Sequence, residues 1–143
     1  SVVDHHNEMA DLTHQLGIFL HLARASRLRS RPLVRDRMLV VAGVVATQLN
    51  LPQIAAYCRM QVLEHNPRHL VRRWPDLAAA LHSEDFQAHL RQLQRRYPLE
   101  KAEQMLTTLG IQMARERETY YSDLEYAASL LGTSATELDE LFG

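Results

Sequence analysis

The 143-residue sequence predicts an all-α fold, and three features of the chain favour it. Glycine occurs only five times, the five prolines fall between apolar segments, and no stretch alternates apolar and polar residues as a half-buried strand would. With 46% apolar residues, a chain of this length can bury a hydrophobic core without disulfides or metals. We therefore predict a single all-helical domain over residues 1–143, built from seven or eight helices packed as antiparallel hairpins.

Apolar residues at helical spacing define the first three predicted helices. Pro32 begins the second helix, whose run "MLVVAGVVA" (residues 38–46) suits a buried helix, and Asn50 can cap the third. Cys58, the one cysteine, lies on the apolar stripe of the third helix, so we expect an inert buried side chain in a reducing compartment. The first helix, over about residues 4–28, has an apolar stripe of Met9, Leu12, Leu16, Phe19, Leu20 and Ala23.

Prolines and capping residues locate the helices that follow. Pro75 interrupts the segment 67–82 and predicts two short helices in place of one. Ser83 can cap the next helix, and Pro98 begins another that ends near Gly110. Beyond it, apolar spacing predicts one long helix over about residues 111–131.

The C-terminal segment "AASLLGTSATELDELFG" (residues 127–143) has the spacing of a helix–turn–helix. Ser134 and Glu137 predict a capping box at the start of its last helix, and Leu138 and Leu141 are expected to be buried. The segment resembles the C-terminal helix–turn–helix of the Fis family, in which the final helix carries several basic residues. Here that helix has no Lys or Arg, and its acids would repel phosphate. A DNA-binding transcriptional regulator is therefore the alternative function, and nucleic acid is not the partner that we expect.

Residues 36–67 resemble a tetratricopeptide repeat, and a weaker match to the same pattern extends the resemblance over about residues 36–100. Gly43 and Ala55 occupy positions where the two helices of such a hairpin need small residues, and "VLEHNP" resembles the usual close of the repeat. Arg59 departs from the pattern, because the family has a large apolar residue at that position. The resemblance implies a helical scaffold whose concave surface holds a peptide or a partner helix.

Charge is unevenly distributed along the chain. Residues 24–96 contain thirteen arginines against five acids, whereas residues 97–143 contain three basic residues against nine acids. Guanidinium groups bind carboxylate and phosphate in bidentate fashion, so the arginines predict a surface for an anionic partner. The alternative is a solvated face that pairs with the acidic C-terminal third of the same chain. The candidate partner-binding residues are Arg24, Arg27, Arg31, Arg35, Arg72 and Arg73.

Catalytic and metal-binding patterns are missing from the sequence. The chain has no glycine-rich phosphate loop, no Gly-x-Ser-x-Gly and no His-Glu-x-x-His. His14 and His21 share a helix face, and His65 and His69 are four residues apart, but a closed zinc site usually needs four ligands. We therefore expect no enzymatic activity, no cofactor and no metal, with histidines that face solvent or form hydrogen bonds.

The function predicted from the sequence is a non-enzymatic helical interaction or scaffold module, which binds a peptide or acidic protein partner through an arginine-rimmed surface. No apolar run reaches the roughly 18 residues that span a bilayer, and the N-terminus has no signal-peptide pattern. We therefore expect a cytoplasmic protein with no membrane partner. The preference for arginine over lysine is typical of a GC-rich genome and favours a bacterial source. The oligomeric state stays open, with a homodimer among the options.

Overall fold

In the computed structural model, residues 2–143 form eight α-helices and two short 3₁₀ helices, with no strand among them, which confirms the all-α prediction. The structure describes residues 2–143, with side chains from residue 11 onward, so Met9 of the predicted stripe lies outside the described side chains. No helix in this part of the chain is both long enough and apolar enough to cross a bilayer. The helices are α1 (Val2–Leu28), α2 (Pro32–Gln48), α3 (Pro52–His65), α4 (Leu77–Ala80), α5 (Glu84–Arg96), α6 (Leu99–Thr108), α7 (Asp123–Leu130) and α8 (Ala135–Phe142).

The two longest helices, α1 and α2, form the centre of the fold. A turn of three residues joins them, and within it Ser30 adopts a positive φ of 56°. Residues 16–20 of α1 and 38–46 of α2 are buried without interruption, although an amphipathic helix would bury only residues three or four apart. Other helices cover both of them, with α6 and α7 against α1 and α3 against α2. The predicted burial of the run 38–46 is therefore confirmed.

Small residues let α2 and α3 approach each other closely. A Cβ atom added at Gly43 would lie 3.3 Å from the Cβ of Cys58 and 3.7 Å from the carbonyl oxygen of Ala55. Cys58 is fully buried at this crossing, and burial raises the pKa of its thiol to about 12. The predicted burial of Cys58 is confirmed, and a raised pKa disfavours the thiolate form of a buried thiol.

The segment between α3 and α5 is irregular, as Pro75 predicts. A 3₁₀ helix (Leu70–Arg73) precedes the proline and α4 follows it, capped by the side chain of Asp76. Arg59 of α3 stabilises this segment, because its guanidinium donates to the carbonyl oxygens of Val71 at 3.4 Å and Trp74 at 2.8 Å. The arginine that departs from the repeat pattern therefore donates charge-assisted hydrogen bonds to backbone acceptors of the irregular segment.

The predicted long helix over about residues 111–131 is wrong. Gly110 ends α6 with a φ of +73°, and Ala114 adopts a φ of +38°, a conformation that no α-helix contains. The 3₁₀ helix Glu116–Thr119 follows, and α7 begins only after Ser122, whose hydroxyl accepts from the amide of Glu125 at 3.1 Å. The segment instead folds back against α1, where a polar cluster described below holds it.

The last helix forms where its cap predicts, with two differences from the expected contacts. Ser134 Oγ accepts from the Glu137 amide at 3.1 Å, but the carboxylate of Glu137 accepts from the hydroxyl of Thr133 at 2.6 Å, so half of the capping box is replaced. Leu138 is fully buried, whereas Leu141 is 53% exposed, contrary to expectation. α8 therefore packs against α3 and α7 along one side only.

Candidate functional site

A cleft of about 320 Å³ lies between α1, α2, α3 and the C-terminal end of α7. Two exposed arginines, one half-buried arginine and several buried apolar residues line it, so the cleft has an apolar floor and a basic rim. The basic rim consists of Arg24, Arg27 and Arg35, joined by the amide of Gln61. The floor consists of Leu20, Ala23, Leu39 and Leu130.

Helical periodicity and the α1–α2 turn bring the three arginines together. Arg24 and Arg27 are three residues apart on α1, which puts them on neighbouring positions of one helix face. Arg35 lies in the first turns of α2 and reaches the same cleft because α2 runs back along α1. Its guanidinium donates to the side-chain oxygen of Gln61 on α3, which limits the freedom of this side chain.

The arginines at the rim of the cleft form no ion pair with the described side chains. Among the side chains from residue 11 onward, no carboxylate lies within ion-pair distance of Arg24, Arg27 or Arg35. Asp36, the acid nearest to them in sequence, is buried against His65 instead. The cleft therefore offers donors and positive charge to a ligand that brings its own acid.

The other three predicted arginines lie elsewhere. Arg31 lines a second cleft with Arg29 and Lys101, on a different side of the α1–α2 turn. Arg72 and Arg73 are exposed on the 3₁₀ helix Leu70–Arg73, and Arg73 forms an ion pair with Asp85 at 3.2 Å. The structure thus brings three of the six predicted residues into one cleft and separates the rest from it.

Asp36 and His65 form a buried acid–histidine pair that was not predicted from the sequence. Asp36 is 4% exposed, and its Oδ2 accepts from Nδ1 of His65 at 2.5 Å. Its second oxygen, Oδ1, is buried and has no hydrogen-bond partner among the described residues. The sequence did contain a signal for this pair. Asp36 lies two residues before the apolar run 38–46, and an acid that is buried with such a run needs a hydrogen-bond partner.

Two further histidines lie close together behind this pair. The rings of His69 and His89 meet edge to face, with their centroids 5.8 Å apart. Burial lowers the pKa of both imidazoles, and the neighbouring His89 lowers that of His69 further, although Asp36 opposes this. The folded chain therefore holds both rings in the neutral form at pH values where an exposed histidine is partly protonated.

We expect the fold to lose stability as the pH falls from about 7.5 to about 5, because the unfolded chain binds protons on these histidines before the folded chain does. When folding lowers the pKa of a histidine, the neutral ring stabilises the fold at pH values above the pKa of the unfolded chain. This stabilisation is lost as the pH falls through the pKa of the folded chain. The difference in melting temperature between the two pH values should shrink in His89→Gln. It should be unchanged in His82→Gln, since His82 is exposed. Equal shrinkage in both variants would contradict the assignment.

A second polar cluster joins α1 to the segment after α6. His21 and Glu116 form a hydrogen bond of 2.7 Å, and Arg117 donates to Asp123 at 2.5 Å. Burial and the Glu116 carboxylate raise the pKa of the Tyr126 phenol, which is 1% exposed. His21 and His65 thus form hydrogen bonds, which was one of the two expected environments for the histidines. No group of three or more His, Cys, Asp or Glu residues in the described part of the chain is placed to hold a metal ion.

The described residues form an all-α fold with an arginine-lined, apolar-floored surface cleft. Comparisons with models of known protein families, with characterised proteins and with solved structures found no match. The tetratricopeptide and Fis resemblances therefore rest on the residues of this chain alone.

Proposed function

We propose that the protein is a non-enzymatic helical interaction module, which binds an acidic segment of a protein or peptide partner in the arginine-lined cleft. The observation that carries the proposal is the set of three guanidinium groups without a carboxylate partner around an apolar floor. Each guanidinium can donate two parallel hydrogen bonds to a carboxylate, and the leucines can cover an apolar side chain next to that acid.

The size of the cleft supports a peptide segment over a nucleic acid. About 320 Å³ accommodates a few side chains, whereas a DNA duplex contacts its reader over a broad surface. The helix that a DNA-binding alternative would use, α8, has exposed acids at Glu137, Asp139 and Glu140 and no basic residue. These carboxylates would repel phosphate, so the DNA-binding alternative has the weaker support.

Two finer expectations belong to the same proposal. The close α2–α3 crossing at Gly43 supports a tetratricopeptide-like hairpin as the scaffold of the cleft. The buried thiol of Cys58 suits a reducing compartment, and with the arginine-rich composition it supports a bacterial cytoplasmic location.

The experiment measures binding of a fluorescent peptide that contains alternating Glu and Leu residues. We expect the double substitution Arg24→Gln and Arg35→Gln to weaken binding about 10- to 100-fold, because it removes two charge-assisted contacts. The matched control is Arg72→Gln with Arg73→Gln, which also removes two positive charges but leaves the cleft unchanged. Binding of the control variant should stay within about twofold of the unmodified chain.

Two results would contradict this function. The same peptide with Gln in place of Glu should bind far more weakly, so equal affinity would show that the arginines do not recognise acids. Salt-dependent binding of a DNA duplex, in the absence of peptide binding, would support the regulator alternative instead.

A further inference from the structure

The turn between α1 and α2 is the most exposed apolar feature of the described chain that also carries concentrated charge. All seven residues of this turn and its flanks, residues 27–33, are exposed, and we call this segment the tip. Leu28 is 75% exposed and Leu33 is 63% exposed, one at each end of the tip. Between and beside them lie Arg27, Arg29 and Arg31. The tip therefore combines two unpartnered leucines with three exposed guanidinium groups.

The exposed charge around the tip has one sign. Residues 24–37 contain six arginines and one acid, and that acid, Asp36, is buried against His65. On one side of the tip lies the second cleft, of about 390 Å³, whose basic residues are Arg29, Arg31 and Lys101 and which no acid lines. The chain as a whole has slightly more acids than basic residues, 17 to 16, so the region around the tip is a local concentration of positive charge in a nearly neutral chain.

We propose that the tip binds an anionic lipid surface, with Leu28 and Leu33 in the boundary between headgroups and acyl chains and the arginines on lipid phosphates. Peripheral membrane binding needs these two components together, buried apolar area and electrostatic attraction to anionic headgroups. Arginine stems extend along apolar surface while their charged ends remain at the headgroups, which suits residues that alternate with the leucines.

The shape of the tip favours a lipid surface over other polyanions. A nucleic acid backbone would bind the arginines but offers little cover for two leucines that stand out from the fold. An acidic peptide suits a concave cleft, whereas the tip is a turn exposed along its whole length. The proposal differs from the expectation of no membrane partner. That expectation was drawn from the sequence, which does not show that Leu28 and Leu33 lie outside the core.

The lipid-binding tip borders the peptide-binding cleft of the proposed function, and Arg27 and Leu28 belong to both. The two sites are distinguished by the residues that only one of them contains. Leu33, Arg29 and Arg31 of the tip do not line the cleft, and Arg24 and Arg35 of the cleft lie outside the tip. Failure of vesicle binding would leave peptide binding intact, and failure of peptide binding would leave vesicle binding intact. Full displacement of vesicles by the Glu–Leu peptide would show one shared site and overturn the separate tip.

The experiment is co-sedimentation of the full chain with vesicles of phosphatidylcholine, with and without about one third phosphatidylglycerol, at roughly 0.1 M salt. We expect binding to the anionic vesicles and little binding to the neutral ones. Arg29→Gln with Arg31→Gln should weaken anionic-vesicle binding about fivefold per arginine. Equal binding to both kinds of vesicle would overturn the electrostatic part of the proposal.

Substitution of the leucines separates insertion from simple charge attraction. Leu28→Gln with Leu33→Gln should weaken binding at least about tenfold, because both apolar side chains lose their lipid cover. Leu141→Gln is the matched control, since Leu141 is 53% exposed at the other end of the sequence. Unchanged binding of the Leu28 and Leu33 variant would overturn insertion and leave a general polyanion surface.

A fluorescent probe reports the depth of the tip directly. The thiol of Cys58 is fully buried and unreactive, so an environment-sensitive dye would label only an introduced cysteine. Dye attached in Leu33→Cys should shift to shorter emission wavelengths on anionic vesicles, whereas dye in Gln112→Cys, an exposed site far along the chain, should not. No shift at position 33, or equal shifts at both positions, would overturn the proposed orientation.

Discussion

Replacement of His65 by alanine is expected to lower the free energy of unfolding by about 3 kcal/mol, because it leaves the carboxylate of Asp36 buried without a partner. Asp36 is 4% exposed, its Oδ1 already has no hydrogen bond, and its Oδ2 depends on His65 Nδ1 at 2.5 Å. A buried charge stripped of its one partner costs far more than a surface residue. Urea unfolding at neutral pH, followed by the fluorescence of Trp74, the one tryptophan, measures the change.

A double-mutant cycle distinguishes loss of the Asp36–His65 hydrogen bond from loss of packing. Asp36→Asn keeps the shape of the side chain and removes its charge, so alone it should cost about 1 kcal/mol. In the Asp36→Asn background, His65→Ala should cost only about 1 kcal/mol more, which gives a coupling energy of about 2 kcal/mol. His82→Ala is the control at an exposed histidine and should cost less than about 0.5 kcal/mol. Additive costs for Asp36 and His65 would show that the pair is not coupled.

The parts of the fold that follow from local signals were predictable. Pro75 interrupts its segment in any packing arrangement, and the run 38–46 has no polar residue that could face water. α1 was harder, because its apolar stripe predicts one buried face, whereas residues 16–20 are buried on all sides. That difference depends on α6 and α7, which pack on α1 from distant parts of the sequence.

The break at residues 111–122 depends on a tertiary contact that overrides helical spacing. Apolar residues recur there at intervals that suit a helix, but Glu116 bonds with His21, which is 95 residues away. Gly110 and Ala114 take positive φ values that allow the return toward α1. No local pattern marks such a pairing, since its partner lies on another helix.

The cleft was predictable only in part, for a geometric reason. Arg24 and Arg27 share a face of α1, which helical periodicity shows, and a short turn brings Arg35 of α2 alongside. Arg31 lies in the turn itself, where periodicity assigns no face, and the structure places it in the second cleft. The exposure of Leu28 was equally hidden, because a leucine at the end of an apolar helix is usually interpreted as core.

Gly17→Val is expected to disturb the packing between α1 and the segment after α6 more than any other substitution at that contact. We expect it to lower the free energy of unfolding by about 3 kcal/mol. A Cβ atom at this position would lie 2.5 Å from Cε of Met113 and 2.7 Å from the hydroxyl oxygen of Tyr126. Tyr126 is almost fully buried and its ring packs against that of Tyr120, so the ring has little room to move away from a new Cβ. The clash should exceed the gain in helix propensity that any replacement of glycine brings.

The contact between Gly17 and Tyr126 predicts which part of the Gly17→Val variant unfolds locally and which second substitution restores stability. Arg117 is held by Asp123, so trypsin should cleave after Arg117 faster in Gly17→Val than in the unmodified chain. Tyr126→Phe removes the hydroxyl that a new Cβ at position 17 would meet. The substitution should therefore cost less stability in the milder Gly17→Ala variant, where it relieves a clash, than in the unmodified chain. If Tyr126→Phe costs the same in both chains, Gly17 does not make room for the phenol, and α1 holds this part of the chain through hydrogen bonds such as His21–Glu116 and Thr13–Asp123.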